Sequence, residues 1–466
     1  MAWASRFPRG PRNMTFTSWQ FGLFAAIVFV AYYLPPVRRF QVQLLVVASL
    51  FFYGYGQPEL LPLLAVAVGG TYLFLALSLH ERRWLPAGIV FNLALLAFFK
   101  YKFLFLDPKA PVLVDNAAID FLLRLPLPIG ISFFVFHNIS LLVDLTRSKA
   151  PRPPLADVFL YIIFFPQLVS GPITRAGMFM PQIQPKQLAD VPFVEATKWI
   201  IAGFFFKLYV ANNLNEMTAY MDFPLYETLQ TQDRWLLVFL YGYQIYADFF
   251  GYSAIAIGLG LLFGYRLPIN FDLPYTSLSF SEFWTRWHIS LSTWLRTYLY
   301  IPLGGNRHGR IRTYLNLMIV MGLGGLWHGA GFSYLAWGLV HGLFLVIERP
   351  FLHVLQAIDS VPLRLLRMGV VFFCVTMAWI FFKLPNFDHA LAYLTGMFTP
   401  TTNPNPPKLF YNLALLYALP VLLQHMRIAS LFETALMRWE PYVYGALVAL
   451  AYLEAGPESA FIYFQF

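Results

Sequence analysis

Eleven long apolar runs fix the class of this chain before any motif is read. They cover residues 17–34, 41–55, 59–80, 85–106, 193–214, 234–263, 313–326, 329–347, 364–382, 409–424 and 441–453. A spanning helix needs about 20 mostly apolar residues, because no water satisfies an open backbone at that depth. Several runs are long enough to cross, and the shorter ones need tilt or neighbours. Charge agrees: charged residues make up 12% of the 466-residue chain, against about 25% in soluble globular proteins. The expected fold is an all-α polytopic membrane protein. Residues 14–466 read as a single transmembrane domain, with no second soluble domain and no internal repeat.

The net charge of +9 does not call for nucleic acid, since the basic residues cluster in short loops. That is the positive-inside pattern of a protein whose partner is membrane lipid. Arg38 and Arg39 follow the first span, Arg82 and Arg83 the third, and Arg147, Lys149 and Arg152 the fifth, the segment broken at its entrance by Pro126, Pro128 and Gly130, and each group marks the cytoplasmic side. The segment 286–312, Arg349, Arg364 and Arg367 are expected to share it, while loops 107–125 and 215–233 carry acids and face outward. Counting back places the N-terminus outside, against Arg6, Arg9 and Arg12. Met14 resolves the conflict if it is the natural start and 1–13 an upstream extension. No short apolar region ends in a signal-cleavage pattern. Cys374 is the single cysteine, so neither an intramolecular disulfide nor a paired-cysteine metal site can form.

The segment 283–312 holds five arginines and no carboxylate. At about 100° per residue, Phe283, Trp287, Leu291, Trp294, Leu295 and Tyr298 fall on one arc. Glu282, Arg286, Ser290, Thr293, Arg296 and Thr297 fall on the other. The spacing predicts one amphipathic helix lying in a membrane surface. His288 breaks the pattern by falling within the apolar arc. A second histidine, His328, sits in LGGLWHGAGFS between Trp327 and Gly329. Glycines there let a backbone or a thin ligand pass close, and a neutral imidazole is a competent general base near pH 7. Both histidines are therefore site candidates, against the bland alternative of hydrogen bonds between helices. His341 lies 13 positions past His328, about 220° round on a straight helix, and reads as structural.

Two further pairs share a helix face, Gln244 with Asp248 and His137 with Asp144. Helix glue is the favoured reading of both, orientation of a catalytic group the alternative. Proline and glycine break two segments, LRLPLPIGISFF and FFPQLVSGPITR. Freed backbone groups at membrane depth must be buried in protein or line a cavity, so 155–175 reads as re-entrant. HExxH, CxxC, complete GxSxG and GxxxxGK[ST] patterns are all missing. Zinc hydrolysis, an elbow serine nucleophile and P-loop ATP use are thereby unsupported, and no metal is expected.

RWHISLSTWLRTYLYIPLGGNR and LGGLWHGAGFSYLAWGLVHG together resemble the membrane-bound O-acyltransferase (MBOAT) family, in its bacterial alginate O-acetyltransferase branch. Further matches run in order: FKYKFLF (99–105), LPIGISFFVFHNIS (127–140), FFPQLVSGPITR (164–175), YQIYADFFGYS (243–253) and FIYFQF (461–466). The resemblance implies a ring of about 11–12 transmembrane helices, with re-entrant and interfacial helices, around a central tunnel. The catalytic region would span about 127–349. His328 would be the catalytic histidine and His288 its partner, with acetyl-CoA as donor from the cytoplasmic side. The acetyl group would cross a bacterial inner membrane to an exopolysaccharide, alginate or cellulose. An extracytoplasmic partner transferase, working with polysaccharide synthase machinery, would finish the transfer. Arg286, Arg296, Trp287 and Trp327 are the candidates for holding the donor. A glutamine-type residue is expected where His137 stands, a departure that touches acceptor or partner and not the reaction.

In the reading that follows, His328 is general base on an incoming hydroxyl that attacks the acetyl thioester. His288 positions it or hydrogen-bonds the carbonyl as charge builds there. An acetyl-enzyme stays open as an alternative. So do peptidoglycan or D-alanyl transfer within the family and, outside enzymes, a transporter or a synthase scaffold.

Overall fold

A computed structural model describes residues 14–107, 114, 116–169, 171–352, 360–400, 411–426, 439–459 and 461–462. The expected extension 1–13 and the last residues of FIYFQF lie outside them. Helices occupy all eleven apolar runs, and the one β-bridge among the described residues joins Phe271 to Trp287. Helix is the local answer wherever the backbone must satisfy itself.

The chain divides into two compact units. The first takes residues up to 200 and 255–268. Its helices are α1 (Trp19–Tyr33), α2 (Gln41–Gly56), α3 (Leu61–His80), α4 (Trp84–Tyr101), α5 (Ala117–Arg124), α6 (Ile131–Ser148), α7 (Leu155–Ile163), α8 (Phe165–Leu168), α9 (Ala176–Phe179) and most of α10 (Phe193–Phe204). Helix α6 packs on α3, α4 and α7. Polar glue joins three of them: Asn92 donates to Thr71 Oγ1 at 3.0 Å, and Asn138 donates to Asn92 Oδ1 at 2.7 Å. Such bonds replace the hydrophobic drive that lipid cannot supply between helices.

The segment read as re-entrant is broken and buried in this unit. Helix α7 stops at Ile163 and α8 restarts around Pro166. Side chains take up the freed backbone groups. Phe165 N donates to Ser49 Oγ at 3.1 Å, Thr174 N to His137 Nε2 at 3.2 Å, and Tyr161 OH to Thr174 O at 2.9 Å. Gln167 spans the turn, donating to Tyr161 O at 2.6 Å and accepting from Thr174 Oγ1 at 2.8 Å. His137 is helix glue, as its spacing suggested.

The second unit takes 201–254 and 269–466. A π-helical stretch, Phe205–Ala211, leads into α11 (Asn212–Thr218), followed by α12 (Thr231–Leu262), whose last residues belong to the first unit. Then come α13 (Phe280–Arg286), α14 (Ile289–Leu295), α15 (Gly309–His328) and α16 (Phe332–Glu348). Four more helices, Val361–Lys383, Phe387–Gly396, Tyr411–His425 and Glu440–Leu453, complete it. Gln244 is also glue, accepting from Thr218 Oγ1 at 2.5 Å and donating to Asn215 Oδ1 at 2.9 Å.

Helices α15 and α16 form the tightest hairpin of this unit, and two glycines explain why. A Cβ on Gly338 would strike the Met321 carbonyl, and one on Gly325 the Tyr334 carbonyl. Only glycine lets the backbones approach this closely.

By length and hydropathy, four described helices can cross a membrane alone: Pro58–His80, Trp84–Leu104, Thr231–Leu262 and Val361–Lys383. The pair α1 and Arg38–Gly56, bent by 115°, makes a fifth if counted as one span. The other runs give helices that are shorter or interrupted by polar residues. The molecule is a multi-pass membrane protein.

One expectation is corrected. Residues 283–300 are not a single surface helix: α13 ends at Arg286, His288 takes a left-handed conformation at φ 43°, and α14 begins at Ile289. A π-helical turn follows over Arg296–Tyr300. A non-glycine residue in the left-handed region is uncommon and is held there by its surroundings.

Candidate active site

The backbone break at His288 has a visible cause. Segment 270–272 runs antiparallel beside 286–289: Asp272 N donates to Arg286 O at 3.0 Å and Ile289 N to Asn270 O at 2.9 Å. The buried Asn270 side chain then reads both sides of the turn. Its Oδ1 accepts from Ser290 Oγ at 2.6 Å and Ser290 N at 3.4 Å, and its Nδ2 donates to Ser253 Oγ at 2.9 Å. The Ser290 N–H, an obligate donor, sets which way the amide faces. His288 Nδ1 lies 3.3 Å from the same Oδ1. An accepting oxygen there places the hydrogen on Nδ1 and the lone pair on Nε2.

The entry to this turn is capped with equal care. Ser279 Oγ accepts from Glu282 N at 3.0 Å, and Glu282 Oε2 accepts from Leu278 N at 2.8 Å, a variant of the capping box. Glu348, at the end of α16, accepts from Phe280 N and, at 3.1 Å, from Ser281 N.

His328 is the last residue of α15, and Gly329 to Gly331 carry the chain into α16. Gly329 is obligatory, since a Cβ there would collide with the Tyr334 ring. The His328 imidazole is buried against Trp327 (ring centroids 4.9 Å), Trp337 (5.0 Å) and Phe382 (5.1 Å).

The two candidate histidines therefore belong to one row of rings. His288 neighbours Trp327 at 6.3 Å, Trp327 neighbours His328 at 4.9 Å, His328 neighbours Trp337 at 5.0 Å, and Trp337 neighbours His341 at 4.9 Å. All five side chains are buried. Trp287 enters from the side, 4.9 Å from Trp379, which lies 5.6 Å from Trp337. Two imidazoles in a dry aromatic setting can hold and move a proton and hydrogen-bond a carbonyl, with water excluded.

The sequence candidates thus divide. His288, His328, Trp327 and Trp287 come together in the cluster. Arg286 is engaged elsewhere: its guanidinium pairs with Glu282 at 2.7 Å and donates to Thr276 Oγ1 at 3.2 Å. Arg296 is exposed at the head of the π-helical turn, outside the ring row. Asn270 and Trp337 were not singled out from the sequence, and His341, read there as structural, lies in the ring row. For Asn270 no local signal existed. For His341 one did: Ser333, Trp337 and His341 are spaced by four, one face of a helix.

A family model described as MBOAT, membrane-bound O-acyltransferase family, matches residues 121–387, which include every member of the ring row. The chain belongs to that family. As an MBOAT protein it is an O-acyltransferase, which removes the transporter and scaffold readings. It is 38% identical over 388 residues to the probable alginate O-acetylase AlgI of Azotobacter vinelandii, covering 81% of this chain and 76% of that one. Against the peptidoglycan O-acetyltransferase of Helicobacter pylori, identity is 35% over 388 residues, 76% of this chain and 73% of the other. A shorter match, 31% over 180 residues, links it to the teichoic acid D-alanyltransferase of Bacillus subtilis, covering 37% of this chain and 45% of that one. Among MBOAT proteins it is of the alginate O-acetylase type.

Proposed function

We propose that this protein O-acetylates an exopolysaccharide, alginate or cellulose, from the inner membrane of a bacterium. Acetyl-CoA on the cytoplasmic side is the donor, and an extracytoplasmic partner transferase completes the transfer beside the polysaccharide synthase. The observation carrying this reading is the burial of His328 and His288 in one ring row of an O-acyltransferase. The relatives named for alginate support the acceptor class. The exposed arginines 307, 310 and 312 support a cytoplasmic face that attracts an anionic donor.

In this mechanism His328 takes the proton of an acceptor hydroxyl, the hydroxyl oxygen attacks the acetyl carbon, and the thiolate leaves. The proton held on His328 then passes to the thiolate. His288, its Nδ1–H turned to Asn270, supports the developing geometry. The test is the acetyl content of secreted polymer from cells carrying wild type, His328→Ala or His288→Ala, with membrane levels matched. Acetate lost from a polymer still made, most completely for His328→Ala, supports the reading. Acetylation that persists without His328 sinks it.

The similarity to the peptidoglycan enzyme favours a second acceptor, the cell wall. Muropeptides from the same strains separate the two: an acetyl signal that follows His328 there, and not in the exopolysaccharide, moves the acceptor to peptidoglycan.

A further inference from the structure

Helix α1 and the segment Arg38–Gly56 meet at a bend of 115°. Pro35 and Pro36 make the bend, because proline lacks an N–H and bars the residue before it from helix. Leu34 is accordingly extended, at ψ 134°, and a single turn, Arg38–Phe40, then leads into α2. The elbow is bolted from inside by Gln41, which is buried. Its Nε2 donates to Tyr32 O at 3.1 Å and to Lys186 O at 3.0 Å, and its Oε1 accepts from Lys186 N at 2.8 Å. One amide thus fixes segment 185–186 against the bend. The outer side of the elbow is an open cleft of about 490 Å³, walled by Pro35, Pro36 and Pro185, with Arg38 and Arg39 beside them.

Charge says what the cleft takes. Arg38 and Arg39 are exposed, and among the described residues no carboxylate pairs with either. The next basic pair along the chain differs, since Arg83 is neutralised by Glu81 at 2.5 Å. Adjacent like charges repel, and an anion between them reverses the sign. A guanidinium fork matches phosphate geometry in particular. The rest of the cleft is apolar: three prolines and the exposed Phe40, whose ring the Arg39 guanidinium covers at 4.7 Å. Helix α1 extends that apolar surface. Leu23, Ile27, Val30 and Leu34 are all exposed and fall within one narrow arc at about 100° per residue. The stripe runs about 16 Å at 1.5 Å per residue and ends at the cleft. Half of a bilayer's hydrocarbon core is about 15 Å. An acyl chain whose phosphate sits on the arginines spans that stripe. The elbow lies in a basic loop of the kind that marks the cytoplasmic side, where the membrane surface is negative.

We propose that the α1–α2 elbow is a binding site for one anionic phospholipid, with its phosphate on Arg38 and Arg39 and an acyl chain along the Leu23–Leu34 stripe. A zwitterionic headgroup would bring its ammonium to the same two arginines, so a lipid with net negative charge is favoured. The site does not depend on the acyl-transfer reaction.

The test is native mass spectrometry of the full chain released from detergent, with phosphatidylglycerol, phosphatidylethanolamine or inorganic phosphate added. Wild type should retain one phosphatidylglycerol in preference to phosphatidylethanolamine, and excess inorganic phosphate should not displace it. Arg38→Gln with Arg39→Gln should weaken that retention about thirtyfold. Val30→Ala with Leu34→Ala should weaken it by a smaller factor, through lost contact with the chain. Arg82→Gln with Arg83→Gln, the control on another basic loop, should leave it unchanged. All these side chains are at the surface, and a monodisperse peak for each variant confirms that it is folded. Equal loss from both arginine pairs would mean a diffuse basic surface, and overturns the proposal. So does equal retention of the two lipids. Displacement by inorganic phosphate, or retention that ignores the stripe variant, would leave an anion site without a lipid chain and overturns it as well.

Discussion

Lys207 Nζ lies 2.7 Å from Asp248 Oδ1, an ion pair with side chains 1% and 5% exposed. The C-terminal tail closes over it. Lys207 also donates to Ser459 O at 3.0 Å and Ser459 Oγ at 3.1 Å, and Ile462 N donates to Asp248 Oδ2 at 2.8 Å. Phe461 packs 4.3 Å from Tyr252 and 5.9 Å from Phe249, which itself meets the His288 ring at 4.6 Å. The tail thus braces the helix that backs one of the two candidate catalytic histidines.

A buried pair of this kind is costly to break, because the surviving charge has no water. Lys207→Met should lower stability by about 3–5 kcal/mol, and Asp248→Asn by less because the amide still accepts from Ile462. The double variant Lys207→Met with Asp248→Leu should be more stable than Lys207→Met alone. Thermal unfolding in detergent, read by loss of the monodisperse peak, checks the order. A double variant worse than Lys207→Met would show that the pair is not the stabilising unit.

Asn270 should matter to rate far more than to stability. It touches His288, both hydrogen-bonding groups of Ser290 and Ser253, so Asn270→Ala frees the turn that aims the imidazole. Misplacing a reacting group by about 1 Å costs on the order of 100-fold. Polymer acetylation should fall by roughly that factor with membrane levels near normal. Asn270→Asp, which keeps the acceptor oxygen, should fall less. Equal, small losses in both would leave Asn270 a packing residue.

Much of this was written along the chain, and what was not has a common cause. Every apolar run became helix because run length and lipid leave the backbone no other option. Trp327 and His328 were visible because they sit in one short motif flanked by glycines. The single-helix reading of 283–300 failed at His288, where a strand-like contact from 270–272 overrides helical periodicity. Lys207 was missed as the partner of Asp248 because it lies 41 residues away on another helix. His341 was read as structural, and its place in the ring row follows from the turn at Gly329–Gly331, which a straight-helix count from His328 leaves out. Local periodicity carries elements, and partners from distant segments decide the site.

The α15–α16 hairpin predicts a steric sensitivity. Gly338→Ala would press a methyl into the Met321 carbonyl, and Gly325→Ala into the Tyr334 carbonyl. Backbone cannot yield as a side chain tip can, so each should cost about 1–3 kcal/mol. The separation also moves Trp337, and acetyl transfer should fall further than the loss of folded protein explains. Gly369→Ala, where a Cβ meets nothing within 4 Å, is the control and should behave as wild type.

Glu348 tests whether the cap of α13 reaches the site. The first three N–H groups of α13 have no partner in their own helix. Glu348 serves Phe280 and Ser281, and Ser279 serves Glu282. A carboxylate at a helix N-terminus gains from the dipole as well as from its hydrogen bonds. Glu348→Gln keeps one carbonyl oxygen and so one of the two bonds; Glu348→Ala keeps neither. Loss of stability should therefore be graded, about 1 kcal/mol for glutamine and about 2–3 kcal/mol for alanine. Because α13 ends one residue before Trp287, slack at its start is passed to the turn at His288. The alanine variant should then lose acetyl transfer beyond its loss of folded protein, and restoring stability with lipid or low temperature should not bring the rate back in full. Full recovery of rate with stability would confine Glu348 to holding α13 against α16.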